Sequence, residues 1–220
     1  HQAGSWDEAD SAFRKSETIQ KNNEPAFPFL YSLGGYLYNE LLLSRGEYVE
    51  VGQRARRTME WTKQQPYGGS LHDVAFDNLS LGRALLQSRI RAERVAPVQN
   101  PLDLLNRAVN GLRQAERQDF LPCGLLARAE YYRVTGDLVK TQKDLDEAFT
   151  IATRGGMGLH LADCHLEYAR LNVARFKSLN VQTFQPDDLP TELVEARKHL
   201  VTAKEMINKM GYHRRDKEVE

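Results

Sequence analysis

Two groupings of residues have the types and spacing to do chemistry. His160, Cys164 and His165, with Asp163 and Glu167 close by, form the densest set of metal-ligand types, and His160 and Cys164, four apart, would share a helix face. A closed metal site takes three or four convergent ligands, and the helix expected next in sequence offers none at fixed spacing, so this set reads as packing. The run Arg154-Gly-Gly-Met-Gly158 could cradle a phosphate through its backbone N–H groups, but it has no lysine and no preceding strand. A helix C-cap followed by a turn accounts for it. No Gly-x-x-x-x-Gly-Lys-Ser/Thr, His-Glu-x-x-His or Gly-x-Ser-x-Gly run occurs, and the six histidines are scattered. No catalytic, cofactor-binding or metal-binding residue is assigned, and the chain is not expected to be an enzyme.

Bulk composition narrows the remaining classes. In 220 residues, 30 Lys and Arg balance 30 Asp and Glu, which argues against a nucleic-acid binder that would need a basic face to replace counterions. Hydrophobic residues at 41% and charged residues at 27% are enough to bury a core. The mean hydropathy is −0.58 and no apolar run approaches the length of a bilayer span, so no membrane partner is expected. Only Cys123 and Cys164 are present, too few for a disulfide framework, which suits a reducing cytoplasm. The chain opens on His1 and reads as an excised segment of a longer protein.

The elements that would position any site are helices. Prolines at 25, 28, 66, 97, 101, 122, 186 and 190 leave long uninterrupted stretches between them. Within these, small and apolar residues recur at steps of three and four, as in Leu193, Ala196, Leu200, Ala203, Ile207 and Met210. No segment alternates with the period of two that a half-buried strand shows. The spacing predicts helices over 5–21, 29–44, 47–64, 71–93, 101–118, 122–135, 137–153, 158–176 and 191–210, with Asp216 opening another. Asn100 followed by Pro101 is a cap with proline at the first helical position, and Ser70, Asp137 and Thr191 are further candidate caps.

A longer period overlies the helical one. Gly4, Gly46 and Gly136 are each followed two residues later by a bulky side chain (Trp6, Tyr48, Leu138) and five later by a small or β-branched one (Ala9, Val51, Thr141). Nine and twelve residues after each glycine come Phe13 and Ser16, Ala55 and Thr58, and Leu145 and Ala148. Seven residues before Gly136 lies Ala129, and Asn39 holds that place before Gly46. On these residues the chain resembles the tetratricopeptide repeat family, in which small residues let antiparallel helices approach while large ones fill between them. The resemblance implies an all-α fold, a right-handed superhelix of about four and a half helix pairs, in one domain over 1–220 with units near 1–21, 29–64, 71–118, 122–153 and 158–210. Two units are longer than the motif, by seven residues after Arg89 and fifteen after Phe176. The second insertion, with Leu179, Val181, Phe184, Pro186 and Pro190, reads as packed on its own repeat, with a contact loop as the alternative. More narrowly, Gly124–Asp137, Cys164–Leu171 and Gly211–Asp216 resemble the repeat regions that end bacterial signalling NTPases of the NACHT and NB-ARC kind.

In such a stack the first helix of each pair lines the concave face. The residues six before each turn position are Glu40, Arg83, Glu130 and Arg170, alternating in sign through successive units. They could form a ladder of ion pairs along the groove or be unrelated surface charges. The lysine and asparagine pattern that clamps acidic chaperone tails is absent: Tyr36 and Glu40, Leu79 and Arg83, and Leu126 and Glu130 stand at the comparable places. With Phe76 added, this face suits an amphipathic helix or extended peptide carrying both signs of charge, against the alternative that aromatic residues at helical spacing are core. The resulting expectation is a non-enzymatic protein-interaction or scaffold module that binds a protein or peptide, needs no cofactor, and associates with itself through uncapped end repeats. The alternative is a structural spacer or oligomerisation segment with no ligand of its own.

Overall fold

A computed structural model describes residues 2–64, 69–91, 99–179 and 189–220. Among these residues the regular elements are all helical: α1 (Trp6–Asn23), α2 (Ser32–Arg45), α3 (Tyr48–Gln64), α4 (Leu71–Ile90), α5 (Pro101–Gln114), α6 (Leu121–Thr135), α7 (Leu138–Arg154), α8 (Gly158–Ser178), α9 (Thr191–Met210) and α10 (Asp216–Val219), with a short 3₁₀ turn at His213–Arg215. The expected helices are all present, shifted at their ends by a few residues. Most of the insertion after Phe176, and the last two residues expected of the fourth helix, lie outside the described residues.

The helices gather into two compact units, Ala3–Gln118 with α1–α5 and Asp119–Glu220 with α6–α10. Helices adjacent in sequence pack as pairs in each unit. The first helix of one pair also meets the first helix of the next, α2 against α4 and α6 against α8. That is the contact pattern of a helical repeat.

Chain reversals follow from backbone chemistry. Gly46 and Gly136 adopt φ of +83° and +88°, the left-handed region that a Cβ disfavours. The next amide in each case reaches back to a carbonyl of the last turn, Glu47 N to Leu42 O at 2.9 Å and Asp137 N to Tyr132 O at 2.8 Å. Glu116 takes the same conformation at φ +55° without being glycine, and Arg117 N donates to Leu112 O at 2.9 Å. The Arg154–Gly158 run closes α7 in this way, with Gly156 at φ +62° and Met157 N bonded to Ala152 O at 2.8 Å. Ser70, Asn100 and Asp137 cap α4, α5 and α7 by accepting from Asp73 N, Leu102 N and Lys140 N. Thr191 does not cap: Pro190 holds that place and Thr191 is already helical.

The first unit's core gathers Tyr38, Leu41, Leu42, Tyr48, Val51 and Ala84. Helix α1 buries none of its own residues fully, but Trp6, Ala9 and Phe13 pack against that core and polar groups hold the helix in place. Tyr38 donates its hydroxyl to Asp10 at 2.9 Å, Phe13 stacks on Tyr38 at 4.8 Å, and Glu17 pairs with Arg54. The second unit's core gathers Ala162, Leu166, Ala203, Ile207, Tyr212 and Val219, so the 3₁₀ turn and α10 cover its end. On α9 the buried stripe is narrower than the periodicity implied: Ala196, Ala203 and Ile207 are buried, while Leu200 and Met210 are exposed.

Candidate functional site

In the first unit the alternating charges do meet. Glu40 on α2 and Arg83 on α4 form an ion pair with both side chains largely buried. The aromatic and aliphatic residues expected beside them do not form an accessible groove. Tyr36, Phe76 and Leu79 are 4%, 1% and 0% exposed, with Tyr36 stacked on Phe76 at 4.8 Å. Their spacing turns them inward between α2 and α4, where they act as core.

In the second unit Leu126 is half-buried against the cluster of Ala129, Leu145 and Leu171. Glu130 and Arg170 belong to a longer ionic chain that the sequence reading did not trace. Arg133 stands 4.0 Å from Glu130 and donates to Glu167 at 3.1 Å. Glu167 pairs with Arg170, which pairs with Glu218 of α10. Arg215 then bonds Glu218 at 2.5 Å and Asp163 at 2.8 Å, and Asp163 accepts from the Tyr212 hydroxyl at 3.1 Å. Burial works against charge at Glu218, yet Arg215 and Arg170 outweigh it and hold its carboxyl below the usual range. At Arg170 burial is likewise outweighed, by Glu167 and Glu218, which raise its pKa. The steps Glu130 to Arg133 and Glu167 to Arg170 have the i, i+3 spacing of helix pairs and were legible. Contacts with Asp163, Arg215 and Glu218 depend on how the C-terminal turn folds back.

The three metal-ligand types at 160–165 point to different neighbours. Cys164 is fully buried, and burial pushes its thiol up. His160 lies 3.9 Å from Cys123 Sγ and 3.2 Å from the Asp119 carbonyl. Burial disfavours its charged form, but Cys123, Asp163 and that carbonyl raise its pKa to about 9. His165 Nδ1 meets His199 Nδ1 at 2.9 Å, so one ring donates and the other accepts. Burial lowers both of their pKa values, and for His165 the neighbouring His199 adds to the effect. Among the described residues no group of three or more His, Cys, Asp or Glu side chains converges as a metal site.

That histidine pair lies in the open concavity of the second unit, a groove of about 400 Å³ between α7, α8 and α9. Its aromatic wall is continuous: Phe149 meets His165 edge-on at 5.6 Å and Tyr168 at 6.0 Å, and Tyr168 stacks on His199 at 4.9 Å. Asp146 accepts from Tyr168 Oη and from Gln142 at 2.6 Å each, and Arg175 donates to Gln142 at 2.9 Å. Glu195 completes the lining. The groove therefore offers ring faces for an apolar side chain beside charges of both signs. Gln142, Asp146 and Phe149 sit one step around α7 from the buried Thr141, Leu145 and Ala148, a helical spacing present in the sequence but masked by the stronger buried stripe. No family model matches the chain, and neither a curated protein nor a solved structure matches it.

Proposed function

We propose that the chain is a non-enzymatic protein-interaction module, a right-handed superhelix of tetratricopeptide-like pairs that serves as the sensing or regulatory region of a larger cytoplasmic bacterial signalling protein. The observation that carries this reading is the groove between α7, α8 and α9, with its wall of Phe149, Tyr168, His165 and His199 and its charged border of Asp146, Arg175 and Glu195. A cleft of that size takes a few side chains of a partner rather than a flat protein face, and mixed charges select an anchor flanked by both signs. This moves the expected contact from the first helices to the side bounded by α7 and α9.

A peptide library displayed on phage tests the reading. Peptides selected on the intact chain should centre on an aromatic or large aliphatic residue with basic and acidic neighbours. They should lose most of their affinity to Phe149→Ala and to Arg175→Glu. A library that yields only binders indifferent to both substitutions rejects the groove as the contact. The spacer reading is supported by the ionic chain from Glu130 to Asp163, which ties α6, α8 and the C-terminal turn together and would suit a rigid connector. It predicts that no groove-dependent binder emerges.

A further inference from the structure

The first unit contains a second concavity whose chemistry differs from that of the groove. It is lined by Phe27 and Tyr31 from the segment before α2, Ser32, Thr58, Trp61 and Thr62 of α3, and Asp73 and Asp77 of α4. Asp77 is 7% exposed, and Thr58 Oγ1 stands 2.6 Å from its Oδ1. Its second oxygen has no hydrogen bond, and no cation pairs with it, among the described residues. Burial raises its pKa to about 7, with Asp73 adding to the rise and the Thr58 hydrogen bond opposing it. Asp73 Oδ1 is buried without a hydrogen bond, with His72 Nε2 3.3 Å away. The buried Asp77 and the half-buried Asp73 therefore face one aromatic-walled space, and a buried carboxylate with no cation beside it is costly unless something positive fills that space.

The repeat pattern shows that this is no general feature of the fold. Five residues before the small-residue slot of each first helix, the chain has Gly34, Asp77, Gly124 and Cys164, so the carboxylate occurs in one unit of four. Its hydroxyl partner Thr58 corresponds to the exposed Ser16 on α1 and to Ala108, Ala148 and Ala203 on α5, α7 and α9, the three alanines fully buried. A polar pair has replaced two small neutral residues at the one interface bordered by Phe27, Tyr31 and Trp61.

We propose that this cavity binds the cationic end of an extended chain, an ammonium or guanidinium group held between the Asp73 and Asp77 carboxylates and the rings of Trp61, Phe27 and Tyr31. Ring faces attract such cations, and a desolvated carboxylate pair supplies the counter-charge. Size sets the limit on the ligand. The cavity is small, about 30 Å³, so a single head group fits and a whole metabolite does not. The same head could come from a lysine or arginine side chain of a peptide or from a free amine.

Titration of the whole chain with the capped peptides acetyl-Gly-Lys-Gly-amide and acetyl-Gly-Arg-Gly-amide, with cadaverine, and with the acetyl-lysine form of the first peptide tests this. Calorimetry and Trp61 fluorescence in a Trp6→Phe background report binding. One saturable event is expected for at least one cation, with the acetyl-lysine peptide at least ~10-fold weaker. Asp77→Asn should weaken the cation by ~10-fold or more while melting no lower than the parent at pH 8, because it removes an uncompensated buried charge. Should that variant fail to fold, Asp73→Asn carries the same comparison. Tighter binding of the peptides assigns a protein side chain as the source, and tighter binding of cadaverine assigns a free amine. No saturation by any cation, equal binding of the acetylated peptide, or an Asp77→Asn chain that binds as well as the parent would overturn the proposal.

Discussion

The α3–α4 contact of the first unit and the α7–α8 contact of the second share one spacing and are filled with opposite chemistry. Where α3 presents Thr58 and α4 presents Asp77, α7 presents Ala148 and α8 presents Cys164, both fully buried. The second contact has small neutral residues at these two positions, while the first borders a cavity and keeps a buried carboxylate without a cation among the described residues. Elsewhere in the second unit, buried carboxylates are answered: Glu167 has Arg133 and Arg170, Asp163 has Arg215, and Asp144 holds Arg128 by two bonds of 2.7 and 2.8 Å. The difference separates two uses of buried charge. One set is compensated and fixes how helices sit; the other is open, and its cost is justified by what it could hold.

The same substitution, carboxylate to amide, should therefore have opposite signs in the two regions. Glu167→Gln leaves Arg133 and Arg170 facing a neutral group and should lower stability by about 3 kcal/mol in chemical denaturation. Asp77→Asn should not lower it at pH 8. The pH dependence sharpens this contrast. The Asp77 carboxyl titrates near 3.8 when unfolded and at about 7 when folded, so the folded state holds the extra proton between those values. Stability from this group is therefore greatest below the unfolded value and falls as pH rises through about 7, by an amount on the order of 4 kcal/mol. Denaturation midpoints at pH 5 and pH 8 should show the fall in the parent and lose most of it in Asp77→Asn.

Packing offers a smaller version of the comparison. The small-residue slot holds Gly82 on α4 and Ala169 on α8. A Cβ at Gly82 would lie 3.0 Å from the Leu105 side chain and 3.3 Å from Leu104 Cβ. Gly82→Ala should cost about 1–3 kcal/mol from overpacking, against about 0.5–1 kcal/mol for Ala169→Gly from added backbone freedom. The smallest expected effect lies at the turns. Glu116 occupies the left-handed position that Gly136 fills without strain, so Glu116→Gly should stabilise by up to about 1 kcal/mol and Gly136→Ala should destabilise by about as much, both read as shifts in thermal midpoint.

The helices were largely legible because their boundaries are written in local chemistry. Prolines, turn glycines and the step of three or four residues place each helix without knowledge of its neighbours. The caps Ser70, Asn100 and Asp137 are equally local, and Thr191 departs because Pro190, with its fixed φ, takes the boundary position first. The Glu40–Arg83 pair was legible too, since a regular repeat puts equivalent residues on neighbouring helices. The rest of the site was not. Arg170 finds Glu218 only because the C-terminal turn returns to α8, and Asp77 looks in sequence like any solvated helix charge. Phe27 and Tyr31, which line the cavity with it, arrive from an irregular segment with no period to read.

Carbon-detected NMR titration of the Asp77 carboxyl, with and without acetyl-Gly-Lys-Gly-amide, tests the central claim most directly. The account predicts a midpoint near 7 in the free chain that moves toward the ordinary carboxylate range as the cation saturates. A free-chain midpoint near 4, unmoved by the peptide, would contradict it.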